Sequence, residues 1–397
     1  MAIFKYSAVF LLAMLATLNS ILWSMPWLAL IFLICLLLTK ASLKMQFSPS
    51  SISGITYLWF IFFAIYVSGF SYDASFVKDQ YLVTPAERQL VELICIFLYV
   101  FLFLVFKNNT NGLYERYIAL FALYVLLLHT ILVLIGIETI DNPQYYSYLM
   151  FVFLPILLFK DRGNLSLKIP VGASFFILVQ LYFGNRFPAL AGVIFLIAWW
   201  WYPIVHKHSL SFKLTILLYF VMLMSAPLLY VFVMNLGALD VLNSSFSNET
   251  NSAFDKGLDG RMIIWPDLLV KITENLFFGT CSNCSSEYYS NSIGTRNLSS
   301  HNTYLEVLLR MGLLGLLVYV SIFYKLLLFT RGSDVTNEFG RFLFSYIFAF
   351  LLFSSSNEFG VTQIFVGNCF LWIVIGYFLR KAGEKGSPAS RGMKRYG

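Results

Sequence analysis

Residues 6–39 read YSAVFLLAMLATLNSILWSMPWLALIFLICLLLT, and this stretch contains no charged side chain. At about 1.5 Å per residue, a helix over the whole stretch would be about 50 Å long, which is too long for one bilayer crossing and suits two. It is also too long for the apolar region of a secretory signal, so we expect it to be part of the mature protein. The stretch therefore predicts helices that cross a membrane.

The rest of the chain has the same composition. Of its 397 residues, 59% are apolar and only 12% are charged, with a mean hydropathy of +0.76. A soluble domain carries about 25% charged residues, so the missing charge indicates that most of the surface faces lipid. The net charge of +7 does not indicate nucleic-acid binding, because the basic residues separate apolar runs and do not cluster on one soluble surface.

Apolar windows recur along the whole chain and predict an all-α polytopic membrane protein with about twelve transmembrane helices. Residues 1–234 would contain helices 1–9, 235–302 one large loop, 303–379 helices 10–12, and 380–397 a short, basic, disordered cytoplasmic tail. The windows are 6–20, 24–39, 52–70, 90–106, 117–136, 145–159, 171–183, 187–204, 212–234, 303–324, 341–355 and 361–379.

The positions of the basic residues predict the orientation. With both termini in the cytoplasm, 19 of the 27 lysines and arginines fall in inner segments. Basic residues are enriched in cytoplasmic loops, so the large loop is predicted to lie outside.

The large loop is polar and rich in Asn, Ser and Gly, but it contains one apolar pattern. Trp265, Leu268, Leu269 and Ile272 fall at helical spacing, and Pro266 suits a first helical turn. We expect a short amphipathic helix lying on the membrane surface. The loop also holds Cys281 and Cys284, and whether these two form a disulfide is left open.

Two motifs are absent from the sequence, one typical of nucleotide sites and one typical of metal sites. It has no G-x-x-x-x-G-K-[ST] phosphate loop, so nothing in the sequence suggests ATP-driven work. No Asp-x-Asp pair is present for a metal-bound sugar nucleotide. A transfer reaction here would need a donor that is already activated, and we expect no cofactor and no metal.

His301 is the candidate general base, because it is the only one of four histidines predicted outside. Asn302 follows it, and the segment from Thr303 to Glu306 resembles a capping box that starts the tenth span. The positive end of that helix would favour a neutral imidazole, which is the form a base needs. The simpler alternative is an interfacial histidine that helps to cap the helix.

Three of the arginines on the predicted outer side are candidate site residues together with His301. Arg186 lies in the turn Gly184-Asn185-Arg186 before a helix start, where helix N–H groups and a guanidinium both suit phosphate oxygens. Arg261 begins the segment that leads to Trp265. The alternatives are a snorkelling boundary arginine for Arg186 and a solvated loop charge for Arg261.

Arg310 is the weakest of the three candidates. On a straight helix it would lie about 13 Å deeper than His301. A charge at that depth is costly and often functional, but Arg310 could also simply pair with Glu306 one turn away. The glycines that follow, Gly312 and Gly315, are better explained by close packing than by chemistry.

His301-Asn302, nine residues and then Gly312-Leu313-Leu314-Gly315 resemble the H-[N/S/Q]-x9-G-x-x-G signature of bacterial O-antigen ligases. The Arg186 turn and the segment from Gly260-Arg261 to Trp265 resemble two further motifs of the wider O-antigen ligase and polymerase superfamily. The resemblance implies a helical membrane glycosyltransferase of the GT-C-like architecture in the Gram-negative inner membrane, with the large loop in the periplasm.

The resemblance also implies a reaction. O-antigen would move from undecaprenyl diphosphate to lipid A–core oligosaccharide, with inversion and without metal or nucleotide. His301 would be the base, Arg186 and Arg261 would hold the diphosphate, and Asn185, Asn302, Arg310 and Trp265 would support them. An O-antigen polymerase using the same donor is the nearest alternative, and a polytopic lipid or glycan transporter is the alternative from another class.

Overall fold

The computed structural model describes residues 54–68, 165–182, 186–235, 265–280, 300, 302–331, 338–355 and 366–386, with scattered positions between 103 and 155. In these ranges every regular element is a helix, which confirms the predicted all-α class. The predicted number of twelve spans stays a prediction, because residues 6–39 and several other apolar windows lie outside the described residues.

Eight helices are described over continuous ranges, and the scattered positions between 103 and 155 are also helical. The seven long ones lie on the apolar windows, and the short α5 lies within the large loop. They are α1 Gly54–Ser68, α2 Leu165–Tyr182, α3 Arg186–His206, α4 Ser209–Asn235, α5 at residues 265–274, α6 Thr303–Arg331, α7 Glu338–Ser354 and α8 Val366–Gly386. Helix α8 continues beyond Arg380, where a disordered tail was expected to begin, because Arg380 to Lys385 are mostly good helix formers.

Helices α3 and α6 are long and apolar enough to cross a membrane. Helix α3 is apolar on both sides, since Trp199 and Tyr202 are buried while Trp200 and Ile204 are exposed. A helix that is apolar all round does not face water. Together with the composition of the chain, this makes the molecule a membrane protein.

Helix α7 lies at the centre of the described bundle, and most of its side chains are fully buried. Aromatic rings fill the space around it. Phe342 packs edge to face on Phe195 of α3, with 5.5 Å between ring centroids, and Phe348 stacks on Tyr219 of α4 at 4.4 Å. These contacts fix α7 against α3 and α4.

One hydrogen bond between α7 and α3 repairs a defect in α3. Pro203 lies inside α3 and has no N–H to donate to the carbonyl of Trp199, four residues earlier. The Nε of Arg341 in α7 donates to that carbonyl at 2.6 Å, and its guanidinium lies 4.2 Å from the centre of the Trp199 ring. Arg341 therefore replaces the donor that the proline lacks.

This arrangement makes a prediction about stability. Replacing Arg341 with methionine is expected to cost about 1–3 kcal/mol, because a buried carbonyl loses its donor. In a Pro203→Ala background the same replacement should cost clearly less, because an alanine at this position supplies the missing N–H. Thermal unfolding of the four variants in detergent measures this coupling. Equal losses in both backgrounds would show that Arg341 does not act through this carbonyl.

Candidate functional site

Helix α6 is broken at Gly312, where φ is +65° and ψ is −166°. This conformation is open only to glycine, and it divides the helix into α6a (residues 303–311) and α6b (residues 312–331). Tyr304 and Tyr319 would be about 22 Å apart along a straight helix. Their ring centroids are 6.1 Å apart. The break therefore bends α6a sharply, so that its first turn lies beside α6b.

The segment after α5 closes this break with backbone hydrogen bonds. The N–H groups of Leu313 and Leu314 donate to the carbonyls of Leu276 and Phe277, at 2.7 and 3.3 Å. The carbonyl of Leu309 accepts the backbone N–H of Thr280 at 2.8 Å and its hydroxyl at 2.9 Å. Groups that an unbroken helix would pair internally are thus paired with the loop.

Two glycines allow this close contact between backbones. A Cβ added to Gly312 would lie 2.4 Å from the carbonyl carbon and oxygen of Phe277. A Cβ added to Gly279, which has a φ of +78°, would lie 2.5 Å from the backbone of Arg310 and Met311. Gly312 was expected to permit close packing, and the structure shows that its neighbour is the loop.

Helix α5 and α6a pack on each other through a small apolar cluster. Trp265, Leu268 and Ile272 of α5 are buried against Leu305 and Leu309 of α6a. The apolar side of α5, which was expected to lie on the membrane surface, is therefore covered by α6a.

A buried polar cluster lies at the start of α6a. It contains Ser300, Asn302, Glu306 and Arg310, each at most 3% exposed. The Nε of Arg310 lies 2.7 Å from Oε1 of Glu306, so the two charges compensate each other. The hydroxyl of Ser300 donates to Oε2 of Glu306 at 3.4 Å, and the indole N–H of Trp265 donates to the carbonyl of Ser300 at 2.8 Å.

Asn302 is the N-cap of α6. Its Oδ1 accepts the N–H groups of Tyr304 and Leu305 at 2.9 and 3.1 Å, and its carbonyl accepts the N–H of Glu306. The expected capping box assigned this role to Thr303 and Glu306. That assignment is wrong by one residue, because the asparagine side chain reaches the free N–H groups and Glu306 is held by Arg310.

The same asparagine joins α6 to the end of α7. Its Nδ2 donates to the carbonyl of Ser355 at 2.9 Å, and the hydroxyl of Tyr304 donates to the carbonyl of Leu351 at 2.7 Å. The negative end of the α7 dipole thus lies beside the positive end of α6a. Because these partial charges are opposite in sign, the two helix ends stabilise each other.

Helix contacts place Arg186 and Gly312 at the same end of the bundle. At the other end, the Nε2 of His206 lies 3.0 Å from the carbonyl of Arg331, and the hydroxyl of Tyr202 donates to the carbonyl of Thr330. The last turns of α3 and α6b are therefore neighbours. Both helices are about 30 Å long, so their first residues lie at the opposite end, which we call the site end.

The expected depth of Arg310 stays a prediction, because His301 lies outside the described residues. The estimate of about 13 Å assumed one straight helix from His301 into the bilayer. The break at Gly312 turns α6a back alongside α6b, so position along α6a does not measure depth in the span. The second reading of Arg310, a pair with Glu306, is confirmed.

His301, Arg261, Asn185, Cys281 and Cys284 lie outside the described residues. The distances from His301 to the two predicted phosphate-binding arginines therefore stay untested. Among the described candidates, Arg186 begins α3 at the site end, while Trp265, Asn302 and Arg310 belong to one connected hydrogen-bonded unit. In the described part of the chain, no group of three or more His, Cys, Asp or Glu side chains could hold a metal ion.

Comparison with known families bears directly on this unit. Residues 169–320 match the family model described as O-antigen ligase. This segment is therefore similar to the O-antigen ligase family. It runs from α2 into α6b and contains every predicted site residue from Asn185 to Arg310. The resemblance inferred from the motifs is confirmed. No curated protein matches the chain.

Sequence reasoning missed two elements of the candidate site. Ser300 and Ser355 are partners of the Asn302 cap, and no motif indicates them. The docked segment Gly279-Thr280 left a weak signal, since a glycine followed by a hydroxyl residue after an apolar run is typical of a helix end. Nothing in the residue spacing shows that this segment hydrogen-bonds to the helix around Leu309, about 30 residues later in the sequence.

Trp265 provides a test of the link between α5 and the start of α6a. Trp265→Phe removes the donor to the Ser300 carbonyl and keeps an aromatic ring in the apolar cluster. We expect a loss of about 1–3 kcal/mol in unfolding free energy, since a buried carbonyl is left unpaired. Thermal unfolding in detergent measures it, with Trp201→Phe at a half-exposed position of α3 as the matched control. Equal midpoints for the two variants would contradict the role of this hydrogen bond.

Proposed function

We propose that the protein is an O-antigen ligase. It transfers O-antigen polysaccharide from undecaprenyl diphosphate to lipid A–core oligosaccharide at the periplasmic face of the Gram-negative inner membrane. The family match supports the class of enzyme, which includes both ligases and polymerases. The observation that carries the site assignment is the double anchoring of the residues on each side of His301.

Ser300 is held by Trp265 and Glu306, and Asn302 is held by the first turn of α6a and by Ser355. A general base must stay within hydrogen-bond reach of the proton it accepts. Both neighbours of His301 are held by buried polar groups, and burying polar groups costs free energy. A histidine that only helped to cap the helix would need Asn302 alone. Positioning of the imidazole explains the whole cluster.

The proposed reaction is a single displacement at the anomeric carbon. A hydroxyl oxygen of the core sugar forms a bond to that carbon and gives its proton to His301. The bond from the anomeric carbon to the phosphate oxygen breaks, and undecaprenyl diphosphate leaves with the electron pair. Arg186, Arg261 and the N–H groups at the start of α3 stabilise the negative charge on the leaving diphosphate.

Arg310 has a supporting role in this proposal. Its guanidinium compensates the buried carboxylate of Glu306, which in turn accepts the Ser300 hydroxyl. Breaking a buried ion pair leaves an uncompensated charge, which is strongly destabilising. Arg310 is therefore a positioning residue for the segment around His301, and it does not bind the donor phosphate.

The broken helix raises the transporter alternative, since transporters often bind their substrates at unwound helix segments. In such sites the freed backbone groups face the substrate. Here the N–H groups of Leu313 and Leu314 and the carbonyl of Leu309 are paired with residues 276–280. This pairing favours a fixed support for the site over a transport site.

Reconstitution tests the proposal. The purified protein in liposomes is mixed with undecaprenyl diphosphate-linked O-antigen and lipid A–core, with EDTA and without nucleotide. Capped core is the expected product. Longer carrier-linked chains would identify a polymerase, and movement of intact donor across the bilayer without either product would identify a transporter. Dependence on added divalent metal would contradict the proposed chemistry.

A further inference from the structure

Large apolar side chains are exposed on the segment that closes the helix break. Phe277 is 62% exposed and Phe278 is 75% exposed. They follow α5 directly. The apolar side of α5 is covered by α6a, so Phe277 and Phe278 form a separate apolar surface, which we call the Phe277–Phe278 surface.

Backbone hydrogen bonds place this surface beside a membrane-spanning helix. The carbonyls of Leu276 and Phe277 accept the N–H groups of Leu313 and Leu314, which belong to the first turn of α6b. The exposed side chains of Leu314 and Leu317 extend along α6b from this point. The Phe277–Phe278 surface is therefore adjacent to the outward-facing apolar side of a segment long enough to cross the bilayer.

A polar boundary lies one turn before this surface. Lys271 and Glu274 form an exposed ion pair at 2.5 Å on α5. The sequence thus changes from exposed charge at 274 to exposed apolar side chains at 276–278 and, on α6b, at 314 and 317. Phenylalanine and leucine next to a charged surface are typical of segments that bury their apolar side at the boundary between headgroups and acyl chains.

We propose that Phe277 and Phe278 insert among the acyl chains of the bilayer phospholipids and anchor the loop segment that closes the break at Gly312. The occupant of this surface is bulk phospholipid. The lipid contact is thus made by the turn after α5, and the apolar face of α5 itself packs on α6a. The proposal is independent of the reaction that the protein catalyses.

Photo-crosslinking tests this contact in the full-length protein. Phe278 is replaced by benzoylphenylalanine, and the protein is reconstituted in vesicles of phosphatidylethanolamine and phosphatidylglycerol without glycan substrates. After irradiation, mass spectrometry identifies the adducts. The control carries the same amino acid at Asp267, an exposed position on α5. We expect several times as many phospholipid adducts at 278 as at 267, and the same excess when the probe replaces Phe277.

Three results would overturn the proposal. Equal phospholipid adducts at 278 and 267 would show that the surface does not meet lipid. Adducts at 278 formed mainly with the chain itself would show that another segment covers it. Loss of the phospholipid adducts on addition of a polyprenyl diphosphate would identify the lipid carrier, and not the bilayer, as the occupant.

Discussion

Replacing His301 with alanine is expected to lower the transfer of O-antigen to lipid A–core by at least about 100-fold, because a positioned general base contributes about 10²–10⁴ in rate. The protein should remain in the membrane at wild-type level, since Asn302 still caps α6 and Trp265 still holds Ser300. Lipopolysaccharide from a ligase-null strain that carries the variant, separated by gel electrophoresis, measures the effect.

His208→Ala is the matched control, because His208 is exposed at the start of α4, at the end of the bundle opposite to the site. It should give normal capping. Arg186→Ala should also abolish capping, but for a different reason, since its loss weakens the hold on the leaving diphosphate. Normal capped lipopolysaccharide from His301→Ala would contradict the role of His301 as the base. The same result from Arg186→Ala would contradict the binding of the diphosphate by Arg186.

The sequence predicts the helices in the described ranges well because apolar runs are local features. The windows at 187–204 and 303–324 lie within α3 and α6. Periodicity also indicated a helix at Trp265, Leu268 and Ile272, but not which surface it covers. That surface is α6a, about 35 residues away in sequence, and residue spacing carries no information on such a pairing.

The sequence predicts those features of the candidate site that depend only on neighbouring residues. An arginine at a helix start follows from local chemistry, and Arg186 is the first residue of α3. The asparagine N-cap was missed, because the expected capping box assigned that role to Thr303. The break at Gly312 was not predictable, because a glycine inside an apolar run is equally compatible with an unbroken helix. Whether the helix breaks at Gly312 depends on the docking of residues 276–280, and this docking requires the folded loop.

Gly312→Ala is expected to be the most damaging change outside the reacting groups. The φ of +65° with ψ near 180° costs a residue with a Cβ about 1–3 kcal/mol. The new Cβ would also lie 2.4 Å from the backbone of Phe277, which cannot move without losing its hydrogen bond to Leu314. The loop segment must then leave the break, and α6a loses the support that sets its direction.

A shift of about 1 Å in a catalytic group can cost about 100-fold in rate, and we expect a loss of this size in the capping assay with a lower unfolding midpoint. Gly54→Ala is the control, because its Cβ would meet only the flexible end of the Lys325 side chain. An alanine at 54 should be neutral or slightly stabilising within α1. If Gly312→Ala instead keeps both its activity and its midpoint, α6 can run unbroken, and the docked loop segment does not position the segment around His301.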